Sequence, residues 1–349
     1  LLLIGLLAEG VVRLVGTYDP FEMNFYAKHS EKRPGRYETP YGVMRMNQHG
    51  FPDGEFDLED PRPRVGYFGD SVTFGLGAGY GHRISDHLRT AFPRFQHLTF
   101  AQVGGGFQVT ETTQALDLTE RFGVDRYVYL MNLNDLLPSY MQTSDPSKAP
   151  LLRRLLYGSA FQYVDRLRMH SHLYNFLRTR VRNAVAQRGF SHQGFEAYEL
   201  WPTKYSDIID GVTGRINDFD RQLRVRGVTF CIAILPYEIQ ISREAEQYYA
   251  GLGFRWEEGF VDRTTQQMIR KRLDPGIQVV DTYSAFVRDG AEVRSREDNR
   301  LGEFFIARAG GAIDWDHPNR AGHRAIADFL IEQDFCRLSD ASPGDGASS

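Results

Sequence analysis

The chain has 349 residues, 42% of them apolar and 25% charged. That balance allows a large core and excludes intrinsic disorder over most of the length. A net charge of −4, from 41 basic and 45 acidic residues, provides no single-sign field to hold a phosphate backbone, so nucleic acid is not an expected partner.

Leu1 to Leu7 is apolar apart from Gly5, and the run continues to Gly16. It is short of the ~20 apolar residues that span a bilayer. Residues 1–16 read as the end of an N-terminal membrane anchor or signal segment, which makes a membrane an expected partner. Residues 17–63, rich in Pro, Gly and charge, read as a linker or arm wrapping the domain, with a turn at Asn47 to Phe51.

Regular elements follow over 64–335. Strands are expected at 64–68, 97–101, 126–131, 228–235 and 277–280. Helices are expected at 84–92, 109–122 and 207–225, and a last one from Pro318 to about Phe335. The strands are continuous apolar runs alternating with helices, which implies a parallel sheet covered on both faces, an α/β fold. In such sheets the site lies beyond the carboxyl ends of the strands. Residues 150–187 interrupt the alternation as a helical insertion of two amphipathic helices, a packed cap or a lid. The tail 336–349 is polar and read as disordered. Cys231 and Cys336 form no CxxC, which excludes a zinc site and a dithiol motif; they read as one buried and one half-buried thiol.

Three of the loops after strands carry chemistry. Ser71, in Gly69-Asp70-Ser71, follows the first strand at the mouth of a helix, where its hydroxyl and its own N–H face the same space. That suits a nucleophile which also supplies an oxyanion donor. The pattern is not the G-x-S-x-G elbow, because Thr73 stands at the second glycine. Asp314 and His317, three apart before the last helix, can pair so that the carboxylate fixes the imidazole tautomer. Pro318 fits the first helical position, which leaves His317 on a turn. Asn134 ends the third strand, where an amide can donate to an oxyanion, and Gly106 lets backbone approach a ligand. His323, Asp316 and Asp135 read as structural. No metal-ligand spacing is present, and the alternating glycines Gly75 to Gly81 match no nucleotide-binding loop, so neither metal nor cofactor is expected.

These blocks, in this order, resemble the SGNH (GDSL-type) hydrolases: Gly69-Asp70-Ser71, Gly106, Asn134-Asp135 and Asp314-x-x-His317. The resemblance covers residues 64 to 335 loosely. It implies a three-layer α/β/α sandwich with a five-stranded parallel sheet, flavodoxin-like in its winding. It also implies a serine esterase with Ser71, His317 and Asp314 as triad and Ser71, Gly106 and Asn134 as oxyanion hole. Two positions depart from the pattern: Asn132 replaces the glycine that usually opens the third block, and Ala101 the asparagine that usually opens the second. The second departure leaves the choice among Gly104, Gly105 and Gly106 open. The N-terminal layout resembles membrane-anchored bacterial members whose catalytic domain faces the periplasm or extracellular space. An acylated small molecule or polysaccharide is then the expected substrate. The alternatives are an O-acyltransferase of a cell-envelope polysaccharide using the same site, and a catalytically inactive, membrane-tethered binding module.

Overall fold

A computed structural model describes residues 2–15, 34–39, 41–103, 107, 109–136, 171–174, 176–177, 206–251, 263–287, 294–307 and 313–339. In chain order the strands are β1 (Gly35–Thr39), β2 (Gly42–Met46), β3 (Arg64–Gly69), β4 (Gln96–Thr99), β5 (Arg126–Asn132), β6 (Thr229–Leu235), β7 (Gln278–Asp281), β8 (Phe305–Ala307) and β9 (Ile313–Pro318). The helices are α1 (Leu2–Val15), α2 (Ser71–Phe74), α3 (Ile84–Ala91), α4 (Val109–Phe122), α5 (Ser206–Val225), α6 (Glu238–Ile241), α7 (Arg243–Gly251), α8 (Thr264–Arg272) and α9 (Arg320–Glu332).

The central sheet runs β4-β3-β5-β6-β7 and every neighbouring pair is parallel. Each strand lies within about two residues of its expected place. Alternate side chains sort to opposite faces, as the period of two requires. Tyr127, Tyr129 and Met131 of β5, with Phe230, Ile232 and Ile234 of β6, pack under α4, α5 and α8. Val128, Leu130, Cys231, Ala233 and Leu235 pack under α3 and α9. The result is a three-layer α/β/α sandwich with a five-stranded parallel sheet, as expected. The chain starts in β3, steps outward to β4 and then reverses to β5, the flavodoxin-like order. The reversal opens a crevice between the carboxyl ends of β3 and β5.

Four features differ from the sequence reading. The arm is built into the domain: β1 and β2 form an antiparallel hairpin, and Met44, Met46, Phe51 and Phe56 are buried. Asn47 makes the expected turn, its carbonyl accepting from Gly50 N and its side chain from Phe51 N. Arg83, 1% exposed, holds the arm through Asp53 and the Pro52 carbonyl, and Arg89 donates to both oxygens of Asp53. Second, Cys231 and Cys336 are both buried and form a disulfide rather than two thiols. Third, Pro318 closes β9 opposite Phe305, and Asn319 caps α9, so the last helix starts two residues later than expected. Fourth, Cys336 and Leu338 are in the core, so the tail cannot begin at 336; its residues from 340 lie outside the described residues.

Most of the insertion at 150–187 also lies outside the described residues. Where it is described, Glu9 of α1 accepts from Ser171 Oγ and from the N–H groups of His172 and Leu173. Helix α1 exposes Leu3, Ile4, Leu6, Leu7 and Leu14. Among the described residues no helix is long and apolar enough to cross a membrane.

Candidate active site

Ser71 is the first residue of α2, directly after β3. The turn there needs glycine: Gly69 has φ +150°, and a Cβ on it would lie 2.2 Å from Thr73 Oγ1 and 2.8 Å from the Leu130 carbonyl. Asp70 caps α2 by accepting from Val72 N at 2.9 Å. The N–H of a first helical residue has no intrahelical partner, so Ser71 N–H is not used within α2. The short helix ends at Gly75 in the left-handed region, and Gly77, Gly79 and Gly81 in the loop that follows also have positive φ. A Cβ on Gly77 would lie 2.4 Å from the Pro318 carbonyl, so this run allows close approach to the end of β9.

His317 stands near the end of β9, and Asn319 holds that end. The Asn319 amide donates to the carbonyls of Gly302, Glu303 and Phe305, while its oxygen accepts from Ala321 N and Gly322 N. From this support His317 Nε2 lies 2.7 Å from Ser71 Oγ, across 246 residues of sequence. On its other side Nδ1 lies 2.8 Å from Asp314 Oδ1. With the imidazole neutral, the serine hydroxyl donates to Nε2 and Nδ1–H donates to the carboxylate.

Asp316, read from the sequence as structural, lies in the same cluster. Its Oδ1 is 2.8 Å from His317 Nδ1, and its Oδ2 accepts from Asn134 Nδ2 at 3.1 Å. The i−3 spacing singles out Asp314, while the folded end of β9 also brings the carboxylate of the adjacent Asp316 to the imidazole. Asn132 is a second residue the reading left without a role. Its amide donates to Asp70 Oδ2 at 3.4 Å and to the Asp316 carbonyl at 3.3 Å, tying the Ser71 turn to β9. Asp135 is structural, accepting from Tyr129 Oη and Asn132 N. His323 is also structural; it is buried, accepts from Ile84 N, and burial pushes it down to about 3. Gly104, Gly105 and Gly106 lie outside the described residues.

The electrostatics follow from burial and paired charge. Burial alone would lower His317, but Asp314 and then Asp316 outweigh it and hold the imidazole well above its ordinary value. Burial pushes Asp316 up to about 6 against the pull of His317. Burial also raises Asp70, opposed by His317, by Val72 N and by the amide of Asn134. Asp314, Asp316 and His317 bring ligand atoms within 4.8 Å of one another, close enough to hold a cation. A cation there would occupy Nδ1 and displace its proton.

The architecture is thus a doubly wound α/β sandwich carrying a Ser-His-Asp array at its topological switch point. No family model matches the chain, and no curated protein matches it significantly. Among solved structures, it is similar to a member of the lipolytic protein G-D-S-L family from Veillonella parvula, at 13% identity, with 77% of this chain and 96% of that one covered and a TM-score of 0.38. It is also similar to an acetyl xylan esterase at 12% identity, with 77% and 98% covered and a TM-score of 0.39. An acetyl-xylooligosaccharide esterase variant from Geobacillus Stearmophilus shares 14% identity, with 78% and 94% covered and a TM-score of 0.39.

Proposed function

We propose that the chain is a serine esterase acting on an O-acyl bond. Ser71 attacks the ester carbonyl while His317 takes its proton at Nε2 and Asp314 holds the Nδ1–H tautomer. We assign the oxyanion to Ser71 N–H, the Asn134 amide and the N–H of Gly106, the glycine the sequence motif points to. His317 returns its proton to the leaving alcohol, and water, again deprotonated by His317, releases the acid. The observation that carries this reading is the relay of 2.7 Å from Ser71 Oγ to His317 Nε2 and 2.8 Å from His317 Nδ1 to Asp314. The packing of the chain does not require such an arrangement, which lies beyond the sheet's carboxyl edge.

The acyl group is carried on a substrate outside the reducing cytosol, a surface polysaccharide or small ester of the periplasm or extracellular space. The buried Cys231–Cys336 disulfide supports that compartment. The test is labelling by a fluorophosphonate probe, run above the His317 pKa so that the base is free. The native chain should label and Ser71→Ala should not. A native chain that stays unlabelled is instead an inactive binding module. Supplying a polysaccharide acceptor to the acyl-enzyme then distinguishes hydrolysis from acyl transfer by the product formed.

A further inference from the structure

An oxyanion donor works only if it is aimed before charge develops. Backbone N–H groups are aimed by the chain. A side-chain amide is not, because its nitrogen and oxygen ends are nearly the same shape and the group can turn over. Asn134 therefore needs a partner that tells its two ends apart. Its Oδ1 is buried with no hydrogen-bond partner among the described residues, so the discrimination falls to the contacts of Nδ2. That atom meets Asp316 Oδ2 at 3.1 Å, and the amide also hydrogen-bonds the Asp70 carboxylate. An ionised carboxylate only accepts, so the turned-over amide would set oxygen against oxygen. The nitrogen end so held, and not the oxygen, is then the end presented to an oxyanion.

The second oxygen of the same carboxylate reaches the general base. Asp316 Oδ1 and Asp314 Oδ1 both lie 2.8 Å from His317 Nδ1. The Asp316 backbone is fixed as well, its N–H directed to Asp314 Oδ1 at 3.4 Å and its carbonyl held by Asn132. The side chain is 12% exposed, so its field is little screened by water.

We propose that Asp316 is a positioning residue of this site: a single carboxylate that aims the Asn134 amide with one oxygen and shares the imidazole of His317 with Asp314 through the other. The proposal deepens the esterase reading and rests on it. It gives Asp316 two separable effects. Through Asn134 it acts on kcat, because the amide counts only when the oxyanion forms. Through His317 it acts on the pH at which the base becomes free. The other titratable groups facing the cluster are Asp70 from the nucleophile turn, Glu238 of α6 and Tyr249 of α7; the last two interact with Asp314, and Tyr249 also with Asp316. All three stay in place when Asp316 is changed.

The experiment compares the native chain, Asp316→Asn, Asn134→Ala and the double variant on an ester the native chain turns over, across about pH 5 to about pH 10. Asp316→Asn should lower kcat about tenfold with KM little changed, a fraction of the ~10²–10³ expected on removing the donor itself. Beside Asn134→Ala it should cost nothing further in kcat, since there is no amide left to aim. In both backgrounds the acid limb should move to lower pH by about one unit, because one of two anions that stabilise the imidazolium is gone. Asp316→Glu, which keeps the charge, should keep the native limb and show that the shift is electrostatic. Losses in kcat that multiply, or an acid limb that stays in place, overturn the proposal. Fluorophosphonate labelling separates the two levels: an unlabelled native chain refutes the esterase reading and Asp316's role with it, whereas a labelled chain with multiplicative losses refutes Asp316's role alone.

Discussion

Removing the Cys231–Cys336 disulfide should destabilise the chain strongly while leaving the native site intact. The bond joins a central strand to the short turn after α9, 105 residues apart. Closing a loop of that length in the unfolded chain corresponds to about 4.7 kcal/mol in the chain-entropy view, with measured losses typically ~2–5. Against a total stability of about 5–15 kcal/mol this is a large fraction. The native end of the chain has other attachments. Arg126 donates to the carbonyls of Cys336 and Arg337, Gln278 accepts from Cys336 N, and Leu338 is buried. The loss therefore arises mainly in the unfolded state. The assay is urea denaturation of the native chain and of the paired Cys231→Ala and Cys336→Ala variant, with ester turnover at low urea as the control. The midpoint should fall, and turnover per folded molecule should hold. Two thiols titrating in the denatured, unreduced native chain, or an unchanged midpoint in the variant, would refute the reasoning.

Glu238 is 1% exposed, and burial pushes its carboxyl up to about 8 from an ordinary 4.5. A carboxyl raised on folding holds its proton longer in the native state, so stability should fall as pH rises from about 4.5 to about 8 and then level off. Glu238→Gln should flatten that fall in denaturation midpoints measured across the interval; an unchanged slope would contradict it. Asp53→Ala should cost roughly 3–5 kcal/mol, because it leaves the guanidinium of Arg83 short of one buried partner and frees Thr99 N. Thermal melts would detect this, and a shift of under a degree would disprove the arm's role. Gly69→Ala should abolish probe labelling through the clash with Thr73 and the Leu130 carbonyl, and full labelling would argue against it.

The sheet was legible because its middle strands, β5 and β6 above all, are apolar runs buried on both faces. Ser71, Asp314 and His317 were legible because Gly69-Asp70-Ser71 and Asp314-x-x-His317 are short local patterns, and their separation in sequence is no obstacle to a motif reading. What stayed hidden depends on partners distant in sequence. Cys231 sits in an apolar run whose pattern says buried, and nothing local says paired. Asp53 and Phe56 lie in a stretch whose composition says loop, yet their partners are Arg83, Arg89 and aromatic rings across the fold. Asp316 was hidden because its place next to His317 carries no pairing signal of its own, and only the folded backbone brings its carboxylate to Nδ1.

The buried ion network fixes where this protein can be divided. A fragment starting at residue 64 would keep every central strand and every residue of the Ser-His-Asp relay, and by motif alone would look complete. It would also leave Arg83 in the interior without Asp53 or the Pro52 carbonyl, and would strip Met44 and Met46 from the cluster that packs Phe74 and Leu76 next to the Ser71 turn. Any tether joined to the N-terminal side therefore pulls on a strap built into the wall of the crevice, and trimming for expression has to stop upstream of the hairpin.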